Sequence, residues 1–234
     1  MPMPSLRRLE SSAADASGHI LSTVIRGVAA VRPARKPLHP RGRVMRARLH
    51  RRGADPSTGV RWLDESGTND VLVRISQAIG LPTWLPDIQG LALRFDPDGT
   101  PGDLLFATTG HGRFTRFVLT PSRGMQRPMT TLLPYRTPCG PLLLGARRTH
   151  DRLFELSCAT LAGPWWPFAG LALLPDDEQE QDPEISFDPV LHQIPGLEPY
   201  DWVRRVREPS YARARHERDQ RAASTTANSA AEPR

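Results

Sequence analysis

The stretch DIQGLALRF, residues 87–95, has the pattern of a turn that leads directly into a strand. In LALRF the large apolar side chains stand at alternate positions, which predicts a strand with one buried face. The preceding LPTWLP carries two prolines, which interrupt regular structure. The stretch therefore predicts a strand that follows a proline-containing turn.

Similar short runs recur along the chain, separated by Gly/Pro turns at roughly ten-residue spacing. They are RVMRARLHR, GVRWLD, NDVLVRIS, DLLFATT, TRFVLT, GPLLLGARR, RLFELSCATL and FAGLALLP. Many short strands at this spacing predict an antiparallel sheet curled into a barrel. Helical patterns at 19–31 and from about residue 200 onward flank it. The predicted fold class is therefore α+β, an antiparallel β-barrel with flanking helices.

Composition suggests that the folded body is smaller than the chain of 234 residues, since only 38% of the residues are hydrophobic. We predict a disordered lead at 1–18, one domain at 19–218 and a disordered tail at 219–234. The two cysteines, Cys139 and Cys158, have no metal-binding spacing, and we expect both to be buried free thiols. No long apolar run and no secretory pattern occur, so a cytoplasmic protein without a membrane span is expected.

The net charge of +6 is carried almost wholly by arginine, since Lys36 is the sole lysine. Residues 32–52 hold nine basic residues and no acidic one. Such a run can bind polyanions by releasing counterions. However, no helix-turn-helix or zinc spacing appears, and aromatics make up only 6% of the chain, which does not favour nucleic acid.

Other chemistry-bearing residues give weaker indications. No G-x-S-x-G, P-loop or paired-histidine metal motif occurs, which argues against a hydrolase. His111 in TTGHGR is flanked by glycines, and this context favours a turn over a ligand. Trp165 and Trp166 are expected to pack the barrel.

The stretch KPLHPRG, residues 36–42, holds His39 between two prolines in the most basic part of the chain. The histidine is either incidental to a solvated, polyanion-binding arm or a placed chemical group. A proton-shuttling imidazole must be held in one orientation, and a neighbouring proline and a hydroxyl partner would do this.

Four short motifs follow one another along the chain: HPRG (39–42), VRIS (73–76), DIQGLALRF (87–95) and GDLL (102–105). Together they resemble the N-terminal core of the heme catalase family, which reads His-x-Lys-Gly, Val-Arg-Phe-Ser, Asp-x-x-Gly-Phe-Ala-x-Lys-Phe and an Asp-Leu pair. The resemblance covers roughly residues 32–218. It implies a catalase-like barrel and heme as the cofactor.

The resemblance also implies roles for residues above the heme. His39 matches the distal histidine, and Ser76 matches the serine that bonds to it, so these two would be the catalytic residues. Arg74 and Lys36 match arginines that neutralise the heme propionates, although lysine lacks the two-pronged guanidinium.

On the other side of the heme, the family carries Pro-Gly-Ile-Glu, then Arg-x-x-x-Tyr, then an arginine seven residues later. This chain offers PGLEP (195–199), Arg207 to Tyr211, and Arg218. The resemblance therefore implies Tyr211 as the iron ligand, with Arg207 and Arg218 as cofactor-binding residues. Nearby guanidinium groups favour the phenolate that ferric iron needs.

One departure from the family concerns activity. After the Asp-Leu pair the family has an asparagine that holds peroxide, whereas this chain has Ala107 or Thr108 there. The loss argues against efficient hydrogen peroxide disproportionation and leaves weak heme peroxidase activity on organic or hydrogen peroxides. The alternative is a heme-free remnant acting as a binding or scaffold protein. A peroxide or a lipid-like molecule is the implied substrate, and a homo-oligomer stays open.

Overall fold

The computed structural model describes residues 41–204 except Ile79, Thr83, 96–100, 176–184, Ser186 and Trp202. These residues belong to one compact unit, Pro37–Arg234. The preceding unit, Met1–Lys36, lies outside the described residues. The predicted bounds of the lead, domain and tail therefore stay predictions.

The described residues form a closed antiparallel barrel. Its strands are β1 (Arg41–Arg52), β2 (Ser66–Gln77), β3 (Gln89–Phe95), β4 (Gly102–Thr108), β5 (Met129–Thr130), β6 (Tyr135–Thr137), β7 (Gly140–His150), β8 (Leu153–Thr160), β9 (Trp166–Leu173) and β10 (Glu198–Pro199). They lie in the order β10-β6-β7-β5-β4-β3-β2-β1-β9-β8, and pairing of β7 with β8 closes eight of them into the barrel. The short strands β6 and β10 extend from β7 outside the ring.

The interior of the barrel is packed with large apolar side chains. In β1, Ala47 and Leu49 are buried whereas Arg46 and Arg48 are exposed, which confirms the predicted strand with one wet face. Val44 differs, because it lies on the outer face and is nevertheless buried. The largest fully buried side chains are Phe95, Phe168, Leu49, Leu63, Leu91, Leu93, Leu104, Met129, Leu143, Leu144, Leu156 and Leu171.

The prediction of a strand over GVRWLD is wrong, since residues Arg61–Asp64 form a one-turn helix, α1. The Asp64 carboxylate accepts hydrogen bonds from the backbone N–H groups of Thr58 and Gly59, at 2.8 Å and 2.9 Å. This pulls the preceding loop back on itself. Leu63 is then fully buried, and the ring centroid of Trp62 lies 4.8 Å from that of Phe95.

The prediction of a strand over TRFVLT is also wrong, because Thr115–Phe117 form a 3-10 helix. The buried Arg116 guanidinium donates to the backbone carbonyls of Gly112, Thr160 and Gly163. It also lies 4.7 Å from the ring centroid of Trp165. An arginine that must reach three carbonyls holds the chain in a tight turn, which an extended strand could not provide.

Three smaller predictions have mixed outcomes. Both cysteines are free, but only Cys158 is buried and Cys139 is exposed, so the prediction is wrong for Cys139. Trp166 packs against the core as predicted, whereas Trp165 lies on the outer wall above Gly145. Within the described part of the chain, no helix is long and apolar enough to cross a membrane. The predicted helix at 19–31 lies outside that part. Of the later predicted helix, that part includes residues 201, 203 and 204, which are helical.

Candidate functional site

Arg74 and Ser76 lie on the outer face of β2. Their neighbours Val71 and Val73 point into the barrel and are buried, so alternation places 74 and 76 on the opposite side. Although both face outward, Ser76 is only 7% exposed and Arg74 is half-buried. This outer wall is therefore not an ordinary solvated face.

Ser76 belongs to a row of small residues that crosses four strands. Gly42 of β1 is its direct partner on one side and Gly90 of β3 on the other. Gly90 is in turn opposite Ala107 of β4. Opposed residues of antiparallel strands share a face, so these four positions form a shallow strip of wall that lacks bulky side chains.

A second row beside this strip is mostly apolar and carries one cation. It runs Val44, Arg74, Ala92 and Leu105 across the same four strands. The Arg74 guanidinium lies over β1, because a Cβ built on Gly42 would come 2.5 Å from Arg74 Cζ. Gly42 therefore makes the space in which this guanidinium rests against the wall.

The structure distinguishes Ala107 from Thr108. Ala107 points outward with Ser76 and Gly90, whereas Thr108 points inward and is fully buried. Its Oγ1 accepts a hydrogen bond of 3.1 Å from the backbone N–H of Gln89. The residue that faces the outer strip at this point is thus an alanine without a side-chain donor.

An ion pair with a buried carboxylate lies on the outer face of β3 and β4. Arg94 of β3 donates to both carboxylate oxygens of Asp103 on β4, from Nε at 2.8 Å and from a terminal nitrogen at 2.7 Å. Asp103 is buried although it faces outward, because the segment 187–199 covers it. Such two-point pairs fix geometry as well as charge.

The segment 187–199 is bound through Asp103 and nearby apolar contacts. The backbone N–H of Asp188 donates to Asp103 Oδ2 at 2.6 Å, and His192 Nδ1 lies 3.1 Å from the same oxygen. The backbone N–H of Asp103 also donates to the His192 carbonyl at 2.8 Å. Ile194 is buried beside Gly102, where an added Cβ would lie 2.8 Å from its Cγ1.

The buried Asp87 of the DIQG stretch has a structural role. Its carboxylate accepts from the backbone N–H groups of Gly80, Leu81 and Ile88, at 2.8, 3.2 and 2.7 Å. The residue also forms an isolated bridge with Ser122. It thereby shapes the turn that delivers Gly90 to the outer strip.

Comparison with known proteins bears on the fold of the barrel. No family model and no curated protein matches the sequence. The solved structures that match the fold include two catalases. A fungal catalase has a TM-score of 0.50 at 10% identity, over 76% of this chain and 58% of that one. Catalase A from Saccharomyces cerevisiae has a TM-score of 0.54 at 11% identity, over 83% and 63%.

This chain has a catalase-like fold. The predicted catalase-like antiparallel barrel is therefore confirmed. The chain spans about six tenths of the length of the two catalases, and the identities are low enough that only the fold follows from them. What the catalase-like barrel binds does not follow from the fold alone.

Of the seven site residues predicted from sequence, the structure brings two together on the barrel wall, Arg74 and Ser76. The other five lie outside the described residues: His39, Lys36, Arg207, Tyr211 and Arg218. Their roles stay predictions. Among described residues, no group of three or more His, Cys, Asp or Glu side chains could hold a metal ion.

Sequence reasoning missed two features of the catalase-like barrel. It singled out GDLL without the pairing of Asp103 to Arg94, and it did not find the row of small residues around Ser76. Alternation in LALRF and GDLL places Arg94 and Asp103 on the outer face of neighbouring strands, and this pattern could have predicted their ion pair. The row depends on the register of four strands, and no single stretch carries that information.

His111 lies in a loop, as its flanking glycines predicted. Its ring stacks on Trp165, with centroids 5.1 Å apart, beside a cavity of about 190 Å³ on the outer wall. Partial burial, and after it the charges of Arg147 and Arg116, lower the pKa of His111, and Glu155 opposes them. The imidazole is thereby kept neutral to lower pH than usual.

Proposed function

We propose that the catalase-like barrel binds heme against the outer wall of β1–β4 and acts as a weak heme-dependent peroxidase. The observation that carries this is the strip Gly42, Ser76, Gly90 and Ala107 with Arg74 beside it. A flat macrocycle needs a wall without bulky side chains, and its carboxylates need a nearby cation. Both conditions are met by residues that lie side by side on this wall.

The predicted residues would complete the site. Arg74, Lys36, Arg207 and Arg218 would neutralise the propionates, and the Tyr211 phenolate would bind the iron. Bound heme would supply the redox chemistry of peroxide cleavage. Gly42, which is opposite Ser76, comes only three residues after His39 in the chain.

The protein's own contribution is proton handling. The His39 imidazole would take the proton of the bound peroxide on a ring nitrogen and return it to the leaving oxygen. The Ser76 hydroxyl would bond to the imidazole and fix which nitrogen is free. The Ala107 methyl group offers no second donor to hold the peroxide, so turnover would be slow compared with an efficient catalase.

Heme loading is tested by titrating the purified full chain with hemin and recording the Soret band after desalting. We expect a stable band in wild type, its loss in Tyr211→Phe and weakened binding in Arg74→Gln. Arg48→Gln is the matched control, because Arg48 is an exposed arginine of β1 that pairs with Asp70. Equal spectra in wild type, Tyr211→Phe and Arg74→Gln would contradict the proposal.

The second candidate is a heme-free member of the fold that acts as a binding or scaffold protein. Ala107 favours it, since the outward position next to Gly90 carries no group that could act on peroxide. Absence of any retained Soret band in wild type would favour this candidate. A cytoplasmic location and a peroxide or lipid-like substrate stay predictions under either function.

A further inference from the structure

Two neighbouring loops carry exposed apolar side chains. The β2–β3 and β4–β5 connections leave the barrel at the same edge, because β2 to β5 are adjacent and antiparallel. The bridge between Asp87 and Ser122 joins them. Their exposed apolar side chains are Trp84 at 69%, Phe114 at 86%, Val118 at 46% and Leu119 at 36%. A set of this size on one edge calls for an explanation.

The same loops are strongly basic. Arg113, Arg123 and Arg127 are exposed there, and we call these three arginines together with the four apolar residues the loop surface. The sequence has no acidic residue at 104–150, and Asp87 is the only one at 71–95. Asp87 is buried, with its carboxylate turned to backbone N–H groups. The loop surface therefore has no exposed acid to balance its arginines.

The exposure of Phe114 does not come from a frayed loop. The next turn is anchored by Arg116, whose guanidinium bonds to the carbonyls of Thr160 and Gly163, both at 3.1 Å. The Arg116 carbonyl accepts from the Thr130 hydroxyl at 2.7 Å, and Phe117 is buried. The anchored turn thus holds Phe114 outward, so that its apolar ring is exposed in the folded protein.

The geometry points to a peripheral membrane contact: the loop surface attaches the barrel to an anionic lipid bilayer. Aromatic and aliphatic side chains enter the boundary between headgroups and acyl chains, while arginines attract the anionic headgroups. Val118 and Leu119 favour lipid over nucleic acid, because aliphatic side chains cannot stack on bases. The positive charge likewise opposes self-association through this surface, since a second copy would bring the same arginines face to face.

The test is sedimentation of the full chain with vesicles of phosphatidylcholine alone or of phosphatidylcholine and phosphatidylserine in equal parts. We expect binding only to the anionic vesicles. Phe114→Ser lowers the partition coefficient about tenfold, the usual effect of leaving one buried aromatic ring out of the apolar phase. Replacing the three arginines by glutamine lowers it about a hundredfold, at about fivefold for each.

Matched controls separate this surface from exposed arginines and apolar side chains elsewhere in the described part of the chain. Leu153→Ser removes a 44% exposed apolar side chain outside the two loops, and it leaves binding unchanged. Arg46→Gln, Arg152→Gln and Arg204→Gln together remove three exposed arginines outside the loops. They lower the partition coefficient less than the three loop substitutions do. The fluorescence of the bound protein shifts to the blue, and Trp84→Phe reduces that shift.

Three results would overturn the proposal. The first is vesicle binding that is unchanged by Phe114→Ser and by the three loop substitutions together. The second is preferential binding of single-stranded RNA that depends on the arginines and is indifferent to Phe114. The third is concentration-dependent dimerisation that Phe114→Ser abolishes, without any binding to anionic vesicles.

Discussion

Arg94 and Asp103 face each other across β3 and β4 and form a two-point ion pair in which the carboxylate has no exposed surface. The same carboxylate also accepts from the Asp188 backbone and contacts His192. One side chain thereby joins the barrel wall to the segment 187–199.

Asp103→Asn is expected to destabilise the fold, because it removes the negative charge that faces the largely buried Arg94 guanidinium. Breaking a buried pair in this way costs about 3–5 kcal/mol in the free energy of unfolding. Asp70→Asn is the control, since Asp70 pairs with Arg48 in an exposed position and the change costs below about 1 kcal/mol. Urea unfolding measures both. Similar midpoints for the two variants would show that the Asp103 cluster does not stabilise the protein.

Gly42→Ala is expected to weaken hemin binding with little loss of stability. The new methyl group would strike the Arg74 guanidinium, which is the movable end of a flexible side chain. Gly67→Ala is matched to it, because an added Cβ there lies 2.6 Å from a terminal nitrogen of Arg51. That arginine is away from the proposed heme wall and holds the carbonyls of Trp62 and Glu65.

We therefore expect opposite patterns from the two glycine variants. Gly42→Ala lowers hemin affinity and leaves the thermal midpoint nearly unchanged, whereas Gly67→Ala lowers the midpoint and leaves affinity unchanged. Hemin titration and thermal unfolding of the same samples give both numbers. Unchanged hemin affinity in Gly42→Ala would remove Arg74 from the proposed site.

Ala107→Asn is expected to raise peroxide turnover by the hemin-loaded protein. It places an amide donor on the outward position beside Gly90, where a donor can stabilise developing charge on oxygen by about 2–4 kcal/mol at best. Thr108→Asn is the contrasting variant, because its side chain points into the core and would cost stability instead. Oxygen release from hydrogen peroxide is the measurement, and an unchanged rate in Ala107→Asn would contradict the proposed position of the peroxide.

The strands were largely predictable from sequence, and the site only in part. Alternation in RVMRARLHR and LALRF correctly predicts strands, because each of these strands has one buried face. Alternation could not reveal α1, whose turn depends on the Asp64 carboxylate reaching back to Thr58 and Gly59. The strands β5, β6 and β10 have two or three residues each, too few to show any period.

The site was harder to predict because its residues lie on different strands, and only the pairing register of those strands places them side by side. The motif VRIS placed Arg74 and Ser76 on one strand face, which the structure has. The choice between Ala107 and Thr108 stayed open at the sequence level, and the pairing of Ala107 with Gly90 decides it. Gly42 gave no signal of its own, since its role comes from the Arg74 side chain of the next strand.

The two cysteines are expected to differ sharply in reactivity. Burial raises the pKa of the Cys158 thiol to about 12, so it carries almost no thiolate at neutral pH. Cys139 is exposed. Iodoacetamide at about pH 8 should modify the exposed Cys139 alone in the native protein and both residues in denaturant. Mass spectrometry of the labelled chain counts the additions, and rapid double labelling without denaturant would contradict the burial.

His111 is expected to make the fold less stable in acid. Its pKa is lowered in the folded state, so below the ordinary histidine range the unfolded chain binds a proton that the folded chain resists. Stability is thus full above that range and falls as pH drops through it towards the lowered pKa. NMR titration of the imidazole measures the midpoint. We expect Arg147→Gln to raise it, and a midpoint in wild type above that of the unfolded chain would contradict the assignment.

The bonds to Asp103 and the burial of Ile194 and Leu197 hold residues 187–199 on the barrel wall. We therefore expect that a gene split within residues 176–184 yields two polypeptides that reassemble on mixing. Because the shorter piece would bring Tyr211 and the longer one Ser76, complementation would allow each half of the proposed heme pocket to be altered or isotopically labelled by itself.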